Sequence, residues 1–528
     1  MDTHYDGIIL GSGHNSLVLQ AYLSRLGLQT LCIEQAAHLG GGLATEPSPD
    51  NPGFVHNPHS FFHRALTRMP WYGDLHLQRL GARYVEPDLN VALLRRDGRV
   101  LEWWTDFDRT AASFARFSPG DAAALRRWRD AFAPVVDKIL LPEAQHPPRP
   151  PAQRRAALLQ SPEGRLLLET SRLSPRQFVQ REFSHPTVQA GLLFFNGLRE
   201  VDLRVEGFGH HIPALLASRG KAQMCLGGSA QLAGALVAAV EEAGGQLRPG
   251  VRPRRLLVEG QRVVGVETEG GEQLGARLFV ASGLNPQQTF LELLAEDVLP
   301  RAWRRKAQQY QYNLLAPLFG LYLDLTEPPQ YRSAEGEADL GEAFMVILGL
   351  EAAAHFERIV DHHERGTIPP TAMWGTCPTL FDPGQAPPGR HTAFMWEKLP
   401  YSLWGQPGRW DRAARAHGRR LLQTWSQYAP NLAGAVIDWH VRSPLDVERA
   451  LPNMRGGDLL VGSFDHGQVG YHRPFAGAGH YRTHLEGLYL CGSCCHPGGN
   501  ITGLPGYNCA QVLTADLGLD TPWFGTVS

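Results

Sequence analysis

The sequence predicts an α/β fold in which one sheet domain is assembled from three separate stretches of the chain. A strand–helix–strand pattern occupies the first 34 residues, a helix followed by three strands begins near residue 228, and a strand with a glycine-rich turn begins near residue 488. Strands that alternate with helices in this way are typical of a largely parallel sheet. The long segments between these stretches predict a second, inserted α+β domain.

The first stretch, YDGIILGSGHNSLVLQAYLSRLGLQTLCIE, predicts a βαβ unit. Tyr5–Leu10 is a short apolar run that stops at a glycine, as a buried parallel strand does. Apolar residues then recur at helical spacing from Leu17 to Leu26, and a second apolar run ends at Glu34. A glycine-rich turn therefore joins the first strand to the helix.

This turn carries the pattern G-x-G-x-x-S from Gly11 to Ser16. Gly11 permits a tight turn, and Gly13 lets the backbone approach a pyrophosphate at the positive end of the helix. Glu34 follows about twenty residues later, where a carboxylate accepts hydrogen bonds from an adenosine ribose. We therefore predict a Rossmann-like dinucleotide-binding domain. Its predicted cofactor contacts in this stretch are Gly11, Gly13, His14, Asn15, Ser16 and Glu34.

A run of three glycines follows the acidic residue. The segment EQAAHLGGGLATE places Gly40, Gly41 and Gly42 a few residues after Glu34. NAD-dependent dehydrogenases do not usually continue in this way after their ribose-binding acid, whereas large FAD enzymes do. The combination indicates FAD as the dinucleotide, with Gly41 and Gly42 as further contacts.

Two later blocks extend the pattern. From residue 227 the chain predicts a helix over Ala230–Ala243 and strands near 256–258, 263–267 and 278–281, and the third block reads LYLCGSCCHPGGNITGLPGYN. With these three blocks the chain resembles the phytoene desaturase-like flavoproteins. That family comprises carotenoid desaturases, ketolases and isomerases, with retinol saturase as a relative, and its fold is similar to that of the amine oxidases.

The resemblance implies a role for the last block and a division into domains. Gly492 would approach the pyrophosphate or the ribityl chain, and Gly498, Gly499 and Asn500 would lie under the flavin ring. A helix N-terminus there would offer N–H donors to a reduced flavin. The predicted boundaries are 1–55, 216–289 and 484–528 for the FAD-binding domain and 56–215 and 290–483 for the substrate domain.

The last block also holds a cluster of possible metal or redox ligands, CGSCCH from Cys491 to His496. A structural zinc site needs four ligands, and no second Cys/His pair stands at finger-like spacing. Dithiol flavoenzymes of the pyridine-nucleotide type carry their cysteines just after the first βαβ unit, where this chain has HLGGGLATE. We predict no metal, and buried thiols in a turn whose spacing the flavin dictates, although the Cys494–Cys495 pair departs from the family's usual small residues.

The inserted segments predict the nature of the substrate. Val188–Gly197, Leu314–Leu325 and Glu342–Leu350 are unusually apolar, which favours a buried channel for an elongated apolar molecule. Aromatic residues that could line this channel are Phe61, Phe62, Trp103, Trp104, Trp374 and Trp396. Polar candidates near the flavin are His59, Tyr471 and Arg473, together with three weak catalytic candidates, His496, Tyr507 and Lys221.

Composition narrows the class of protein. Hydrophobic residues make up 43% and charged residues 19% of the 528 residues, and the formal net charge is −2, so no electrostatic field attracts nucleic acid. Seven cysteines in a chain of this length indicate reduced thiols. No targeting segment or bilayer-spanning apolar run is recognisable. We expect a cytoplasmic protein that could contact a membrane peripherally to reach a lipid substrate.

These observations predict an FAD-dependent oxidoreductase that acts on an extended carotenoid- or isoprenoid-like substrate. Desaturation by hydride transfer to flavin N5 is the leading hypothesis, and carotenoid ketolation and redox-neutral cis–trans isomerisation are alternatives. An amine oxidase and a non-enzymatic prenyl-protein carrier on the same fold are the further alternatives. Because no second dinucleotide fingerprint is present, we expect oxygen or a quinone as electron acceptor rather than NAD(P).

Overall fold

A computed structural model describes residues 4–196, 201–333, 340–465 and 467–524. The strands are β1 (His4–Leu10), β2 (Thr30–Glu34), β3 (Glu46–Pro47), β4 (Val55–His56), β5 (His63–Arg64), β6 (Tyr84–Val85), β7 (Leu89–Leu94), β8 (Val100–Trp104), β9 (Ala222–Cys225), β10 (Gln246–Pro249), β11 (Pro253–Glu259), β12 (Arg262–Thr268), β13 (Gln273–Ser282), β14 (Leu318–Leu325), β15 (Met345–Leu348), β16 (Met373–Thr376), β17 (His391–Lys398), β18 (Val436–Arg442) and β19 (Leu488–Leu490). The α-helices are α1 (His14–Arg25), α2 (Pro70–Asp74), α3 (Phe107–Phe117), α4 (Pro119–Val135), α5 (Leu141–Ala144), α6 (Pro151–Leu159), α7 (Pro162–Thr170), α8 (Pro175–Glu182), α9 (Pro186–Asn196), α10 (His211–Ala217), α11 (Ala230–Glu242), α12 (Arg301–Gln308), α13 (Ala354–Arg365), α14 (Trp410–Tyr428), α15 (Leu432–Ala435), α16 (Pro444–Ala450) and α17 (Leu504–Asp516).

The first large sheet combines strands that are far apart in the sequence. Its order is β10-β2-β1-β13-β12-β11. Strand β12 pairs with the beginning of β13, and β19 pairs with the end of β13. The pairs among β10, β2, β1, β13 and β19 are parallel, whereas β12 pairs antiparallel with both β11 and β13. The carboxyl ends of β1, β2, β13 and β19 therefore meet at one edge, which is where ligands bind in such sheets.

Three helices pack together behind this edge. Helix α1 contacts α11 and α17, and Tyr22 of α1 meets Tyr507 of α17 edge to face, with 5.6 Å between ring centroids. Glycine makes the approach possible, because a Cβ on Gly506 would stand 1.9 Å from the carbonyl oxygen of Asn15. The N-terminus of α1 is thus held against the last helix of the chain.

The second large sheet is built by the two inserted segments. Its order is β18-β14-β17-β16-β15-β7-β8, and every pair is antiparallel except β15 with β7. Strand β14 is buried along its whole length, as are β7, β15 and β16. Helices α3, α4 and α8 to α10 pack around one face, where the aromatic side chains of Phe61, Phe62, Trp374 and Trp396 collect.

The α/β fold is confirmed, and the local predictions match closely. The predicted helix over Ala230–Ala243 is α11, and the predicted strands after it are β11, β12 and β13. The five domain boundaries stay a prediction, since strand pairing shows which strands belong together and not where each domain ends. Of the apolar segment predicted over 188–197, residue 197 lies outside the described residues. No described helix combines the length and the apolar character that crossing a bilayer requires.

Candidate active site

The turn after β1 has the backbone that a bound phosphate group needs. Gly11 has a φ of +82°, a conformation in which an L-residue with a side chain is strained. Gly13 caps the N-terminus of α1, and a Cβ built on it would meet no atom within 4 Å. Gly41, with a φ of +58°, lies against Gly13, whose Cα would stand 3.2 Å from a Cβ on Gly41. The turn is therefore closely packed where Gly41 meets Gly13, and it is open on the side to which a Gly13 side chain would point.

The carboxylate of Glu34 is held in place by the same turn. The backbone N–H of Ser12 donates to Oε2 at 2.8 Å, the Ser12 hydroxyl donates to the same oxygen at 3.0 Å, and the N–H of Ala36 donates to Oε1 at 2.9 Å. The Ser12 hydroxyl oxygen also accepts from the N–H of Gly40 at 3.2 Å. Glu34 therefore links the end of β2 to the first glycine turn, and Ser12 links that turn to Gly40.

A cavity of about 340 Å³ opens at this edge of the sheet, within the range of ligand-binding pockets. The predicted contacts that line it are Gly11, Gly13, His14, Asn15, Ser16, Glu34, Gly41, Gly42, Gly492 and Asn500. The predicted contacts Gly498 and Gly499 are not among its lining residues. The cavity thus brings together residues from the first 42 positions and from the last block.

Three glycines of the last block are needed for packing. A Cβ on Gly492 would stand 2.4 Å from the carbonyl oxygen of Gly283, because β19 and β13 end side by side. A Cβ on Gly498 would strike the ring of Phe464 at 2.4 Å, and one on Gly499 would stand 2.3 Å from the carbonyl oxygen of Leu460. Gly492 still lines the cavity, whereas Gly498 and Gly499 pack against the 460–464 segment. This packing was not predicted from the sequence.

The residues of this cavity fit a dinucleotide. Asn15 is buried, its Nδ2 donates to the Ser493 hydroxyl at 3.1 Å, and its Oδ1 has no hydrogen-bond partner among the described residues. A ribityl or ribose hydroxyl is a suitable donor for that oxygen. Burial lowers the pKa of His14 to about 4, so its imidazole is neutral at pH 7, with Nε2 3.2 Å from the carbonyl oxygen of Asn500.

Several residues that line the cavity were not among the predicted cofactor contacts, although the segment PNMRGGD resembles a family segment close to the flavin. Ala450–Met454 form one wall, and Arg252–Arg254, Glu269, Leu284 and Gln288 form another. The wall at 450–454 overlaps the segment PNMRGGD, which begins at Pro452, and its Asn453 is fixed by the N–H of Asn285, which donates to Oδ1 at 2.6 Å. Their spacing carries no dinucleotide signature, because they reach the cavity only through the pairing of distant strands.

The cysteines of the last block are buried thiols. Cys494 Sγ lies 3.9 Å from Cys495 Sγ and 3.6 Å from the carbonyl oxygen of Leu284. Burial raises the pKa of Cys491 to about 12 and raises the pKa of Cys495 well above its usual value. Metal ligation and thiol exchange require the thiolate, which these surroundings disfavour. Within the described ranges, no group of three or more His, Cys, Asp or Glu side chains could hold a metal.

A second cavity, which we call the aromatic cavity, lies beside the second sheet. It has a volume of about 70 Å³. Its lining residues are Phe62, Arg64, Asn90, Val91, Trp103, Phe194, Leu215, Gly220, Lys221, Ala222, Met345 and Trp374. Of the aromatic residues proposed from the sequence, Phe62, Trp103 and Trp374 therefore line a cavity. Phe61, Trp104 and Trp396 are core residues.

The three catalytic candidates occupy three different places. Lys221 lines the aromatic cavity, and Tyr507 of α17 is buried against Tyr22 of α1. His496 is not among the residues that line the dinucleotide cavity, and its Nε2 lies 2.8 Å from the carbonyl oxygen of Glu143. Burial lowers the pKa of His496 to about 4. His496 borders a third cavity of about 360 Å³ together with Tyr471.

The other two polar candidates differ in their surroundings. Arg473 is fully buried, and its guanidinium donates to four backbone carbonyl groups, among them those of Ser463 at 2.8 Å and Ser493 at 3.1 Å. It therefore ties Gly462, Ser463 and Gln468 to Ser493 of the last block. His59 lies beside Gly42, and burial lowers the pKa of its imidazole to about 3.

Glu34 allows a direct test of the cofactor cavity. Glu34→Ala removes the acceptor that a ribose would use, and a hydrogen bond to a charged group contributes about 1.5–3 kcal/mol. We expect the dissociation constant of FAD, measured by fluorescence titration, to rise by about 10–150-fold. Glu34→Gln keeps an oxygen for Ser12 and should show a smaller loss, and Glu242→Ala, an exposed carboxylate paired with Arg79, should show none. Unchanged affinity in both Glu34 variants would contradict this position for the adenosine.

Comparison with known proteins agrees with this geometry. Residues 9–69 match the family model for an NAD(P)-binding Rossmann-like domain. The chain is 28% identical to one of the subunits of the limonene dehydrogenase of Castellaniella defragrans, over 98% of this chain and 96% of the relative. It is 24% identical to the all-trans-zeta-carotene desaturase of Myxococcus xanthus, over 97% of this chain and 93% of the relative.

A solved structure supports the fold. The structure of cyclohexylamine oxidase from Brevibacterium oxydans superposes with a TM-score of 0.57 and 14% identity, over 98% of this chain and 100% of that chain. At this identity the likeness concerns the fold alone. Taken together with the two sequence relatives and with the cavity at the sheet edge, this likeness supports an oxidoreductase that is similar to the phytoene desaturase-like flavoproteins.

Proposed function

We propose that the protein binds FAD in the 340 Å³ cavity and desaturates an isoprenoid substrate held in the aromatic cavity. The observation that carries this proposal is a short segment, His59–Arg64, that runs from one cavity to the other. His59 Cβ would stand 3.9 Å from a Cβ on Gly42, which lines the cofactor cavity. Phe62 and Arg64 line the aromatic cavity.

The length of this segment limits the distance between the two cavities. Six residues from His59 to Arg64 span at most about 18 Å even when fully extended. A ring system bound near Gly42 and an apolar chain bound near Phe62 would therefore be close neighbours. When bound, FAD supplies the hydride acceptor for removing hydrogen from an unactivated C–H bond.

The protein's own residues would bind and orient the two partners. Glu34 would accept the ribose hydroxyls, the open face of Gly13 would admit the pyrophosphate, and Asn15 Oδ1 would accept a hydroxyl of the ribityl chain. Phe62, Trp103 and Trp374 would hold an apolar chain and exclude water from it. The relatives named for limonene and for zeta-carotene both act on isoprenoid hydrocarbons, which supports this class of substrate.

The charges of the aromatic cavity argue against an amine substrate. Its charged lining residues are Arg64 and Lys221, and no carboxylate lines it within the described residues. A protonated amine would meet like charges there, at a cost that low dielectric surroundings increase. The fold shared with cyclohexylamine oxidase thus does not extend to an amine site at this position.

We further propose that the electrons leave to oxygen or to a quinone. The sequence has no second dinucleotide fingerprint for NAD(P), although the matched family model is described as NAD(P)-binding. Peripheral contact with a membrane would follow from a lipid-dissolved substrate, and cytoplasmic localisation with such contact remains our expectation.

The reaction can be tested by mixing the FAD-loaded protein with isoprenoids in the absence of oxygen. A desaturation is expected to bleach the flavin absorbance near the rate of turnover, with a product that is two hydrogens lighter by mass spectrometry. Isomerisation would leave the flavin oxidised and the mass unchanged, and ketolation would require oxygen and give a product with one more oxygen and two fewer hydrogens. Bleaching by small amines and by no isoprenoid would contradict the proposal, and a folded protein that takes up no flavin would favour a carrier.

A further inference from the structure

Two residues that line the aromatic cavity, Lys221 and Trp374, carry hydrogen-bond donors whose capacity the surrounding side chains do not fill. Trp374 is 2% exposed, and its indole N–H has no acceptor among the described residues. Lys221 donates to the carbonyl oxygen of Ser218 at 3.0 Å. An ammonium group carries three hydrogens, so further donor capacity is left for a ligand.

Asn90 is the lining side chain that could accept a hydrogen bond from a neighbouring donor, and its oxygen already has a partner. Asn90 Oδ1 accepts from the N–H of Ala222 at 3.1 Å, and Asn90 Nδ2 donates to the carbonyl oxygen of the same residue at 2.8 Å. A ligand for this cavity must therefore bring its own acceptor atoms. A pure hydrocarbon would leave the Trp374 N–H buried without a partner, which costs free energy.

The charge around Lys221 favours an anionic acceptor. Arg64 lines the same cavity and is exposed, and Arg68 adds a further positive charge to the surroundings of Lys221. The neighbouring carboxylate, Glu86, accepts from the backbone N–H of Lys221 at 3.4 Å and from the amide of Gln223 at 3.1 Å. Burial, followed by the charge of Arg64, lowers the pKa of Lys221 to about 8, so the amine is still mostly protonated at pH 7.

We infer that the substrate is an isoprenoid that carries a carboxylate, with its chain against Phe62 and Trp103 and its carboxylate oxygens accepting hydrogen bonds from Lys221 and Trp374. This inference rests on the proposed function and adds a polar end to the substrate. Lys221 and Trp374 both line this cavity of about 70 Å³, together with Phe62 and Trp103. A hydrogen bond with a charged partner contributes about 1.5–3 kcal/mol, enough for a 10–150-fold preference over the hydrocarbon.

The test uses four probes that share one C15 chain: farnesoic acid, farnesol, farnesene and farnesylamine. Their affinities for the FAD-loaded protein are measured at pH 7 by isothermal titration calorimetry and by the change in flavin absorbance. We expect farnesoic acid to bind at least about tenfold more tightly than farnesene, with farnesol between them and farnesylamine the weakest. The preference for the acid should fall as the pH rises beyond the pKa of Lys221, because the deprotonated amine no longer attracts the carboxylate.

Two substitutions assign the preference to these side chains. Lys221→Met should reduce the affinity for farnesoic acid by about tenfold or more and leave the affinity for farnesene unchanged. Trp374→Phe keeps an aromatic ring against Phe194 and removes the N–H, so it should weaken the acid and the alcohol and spare the hydrocarbon. Lys138→Met is the matched control, since Lys138 pairs with Glu163 and borders the third cavity instead. FAD content and the thermal midpoint report whether each variant is folded.

The outcomes separate this inference from the function on which it rests. Equal binding of farnesene and farnesoic acid by the wild-type protein would overturn the inference and leave the proposed desaturation in place. Survival of the acid preference in both Lys221→Met and Trp374→Phe would overturn it as well. Binding of none of the four probes by yellow, folded protein would overturn the aromatic cavity as the substrate site, and the inference with it.

Discussion

Replacing Gly13 with alanine is expected to remove tight FAD binding and to leave the fold intact. A Cβ at this position would meet no protein atom within 4 Å, and the φ of −61° is allowed for alanine. The added methyl group would project into the space through which a pyrophosphate approaches the N-terminus of α1. Overpacking by a methyl group costs about 1–3 kcal/mol, so the dissociation constant of FAD should rise by about 5–150-fold.

The control for this substitution is Gly234→Ala. Gly234 lies on the exposed side of α11, and a Cβ there would likewise meet nothing within 4 Å. Its FAD affinity should equal that of the wild type, and its thermal midpoint should be equal or slightly higher, because alanine favours the helix over glycine by about 1 kcal/mol. Wild-type FAD affinity in Gly13→Ala would show that the pyrophosphate does not pass over this glycine.

Replacing Gly506 with alanine should instead destabilise the protein. A Cβ on Gly506 would stand 1.9 Å from the carbonyl oxygen of Asn15, a backbone atom that cannot turn aside. Helix α17 would have to move away from α1, breaking the contact between Tyr22 and Tyr507. Overpacking costs of about 3 kcal/mol or more outweigh the gain in helix propensity of about 1 kcal/mol.

The measurement is urea unfolding followed by tryptophan fluorescence and by FAD release. In Gly506→Ala both transitions should move to lower urea concentration together, because the N-terminus of α1 forms part of the cofactor cavity. In Gly13→Ala the transition of the FAD-free protein should not move. A Gly506→Ala protein with the wild-type unfolding midpoint would contradict the close packing of α1 against α17.

Much of the first stretch, which forms the βαβ unit, could be predicted from the sequence because its signals are local. The run Tyr5–Leu10, the helical spacing after it and the acid at the end of β2 depend on residues within one βαβ unit. The structure places each of these elements within a residue or two of its predicted position. The predicted acid, Glu34, also lies beside the predicted glycine turn, where it accepts two hydrogen bonds from Ser12.

The last block could be recognised from the sequence, but the packing contacts that require its glycines could not be predicted. Gly498 and Gly499 were expected under a flavin ring on the strength of a resemblance, and the structure shows each of them against the 460–464 segment. Nothing in the local sequence connects residue 499 with the carbonyl oxygen of Leu460. Such a contact depends on how a loop of the inserted segment returns to the sheet edge.

The sequence by itself determined the α/β fold, the dinucleotide turn and its acid, since these follow from periodicity and from the backbone freedom of glycine. The tertiary structure alone decided which aromatic residues line a cavity and which form the core. The alternation of side chains along one strand does not specify which elements pack on either face of the sheet. It also brought Lys221 and Trp374, which are 153 residues apart, to the walls of one cavity. Side chains so distant in the sequence become neighbours only because Lys221, which precedes β9, and Trp374, which lies in β16, border the same aromatic cavity in the folded chain.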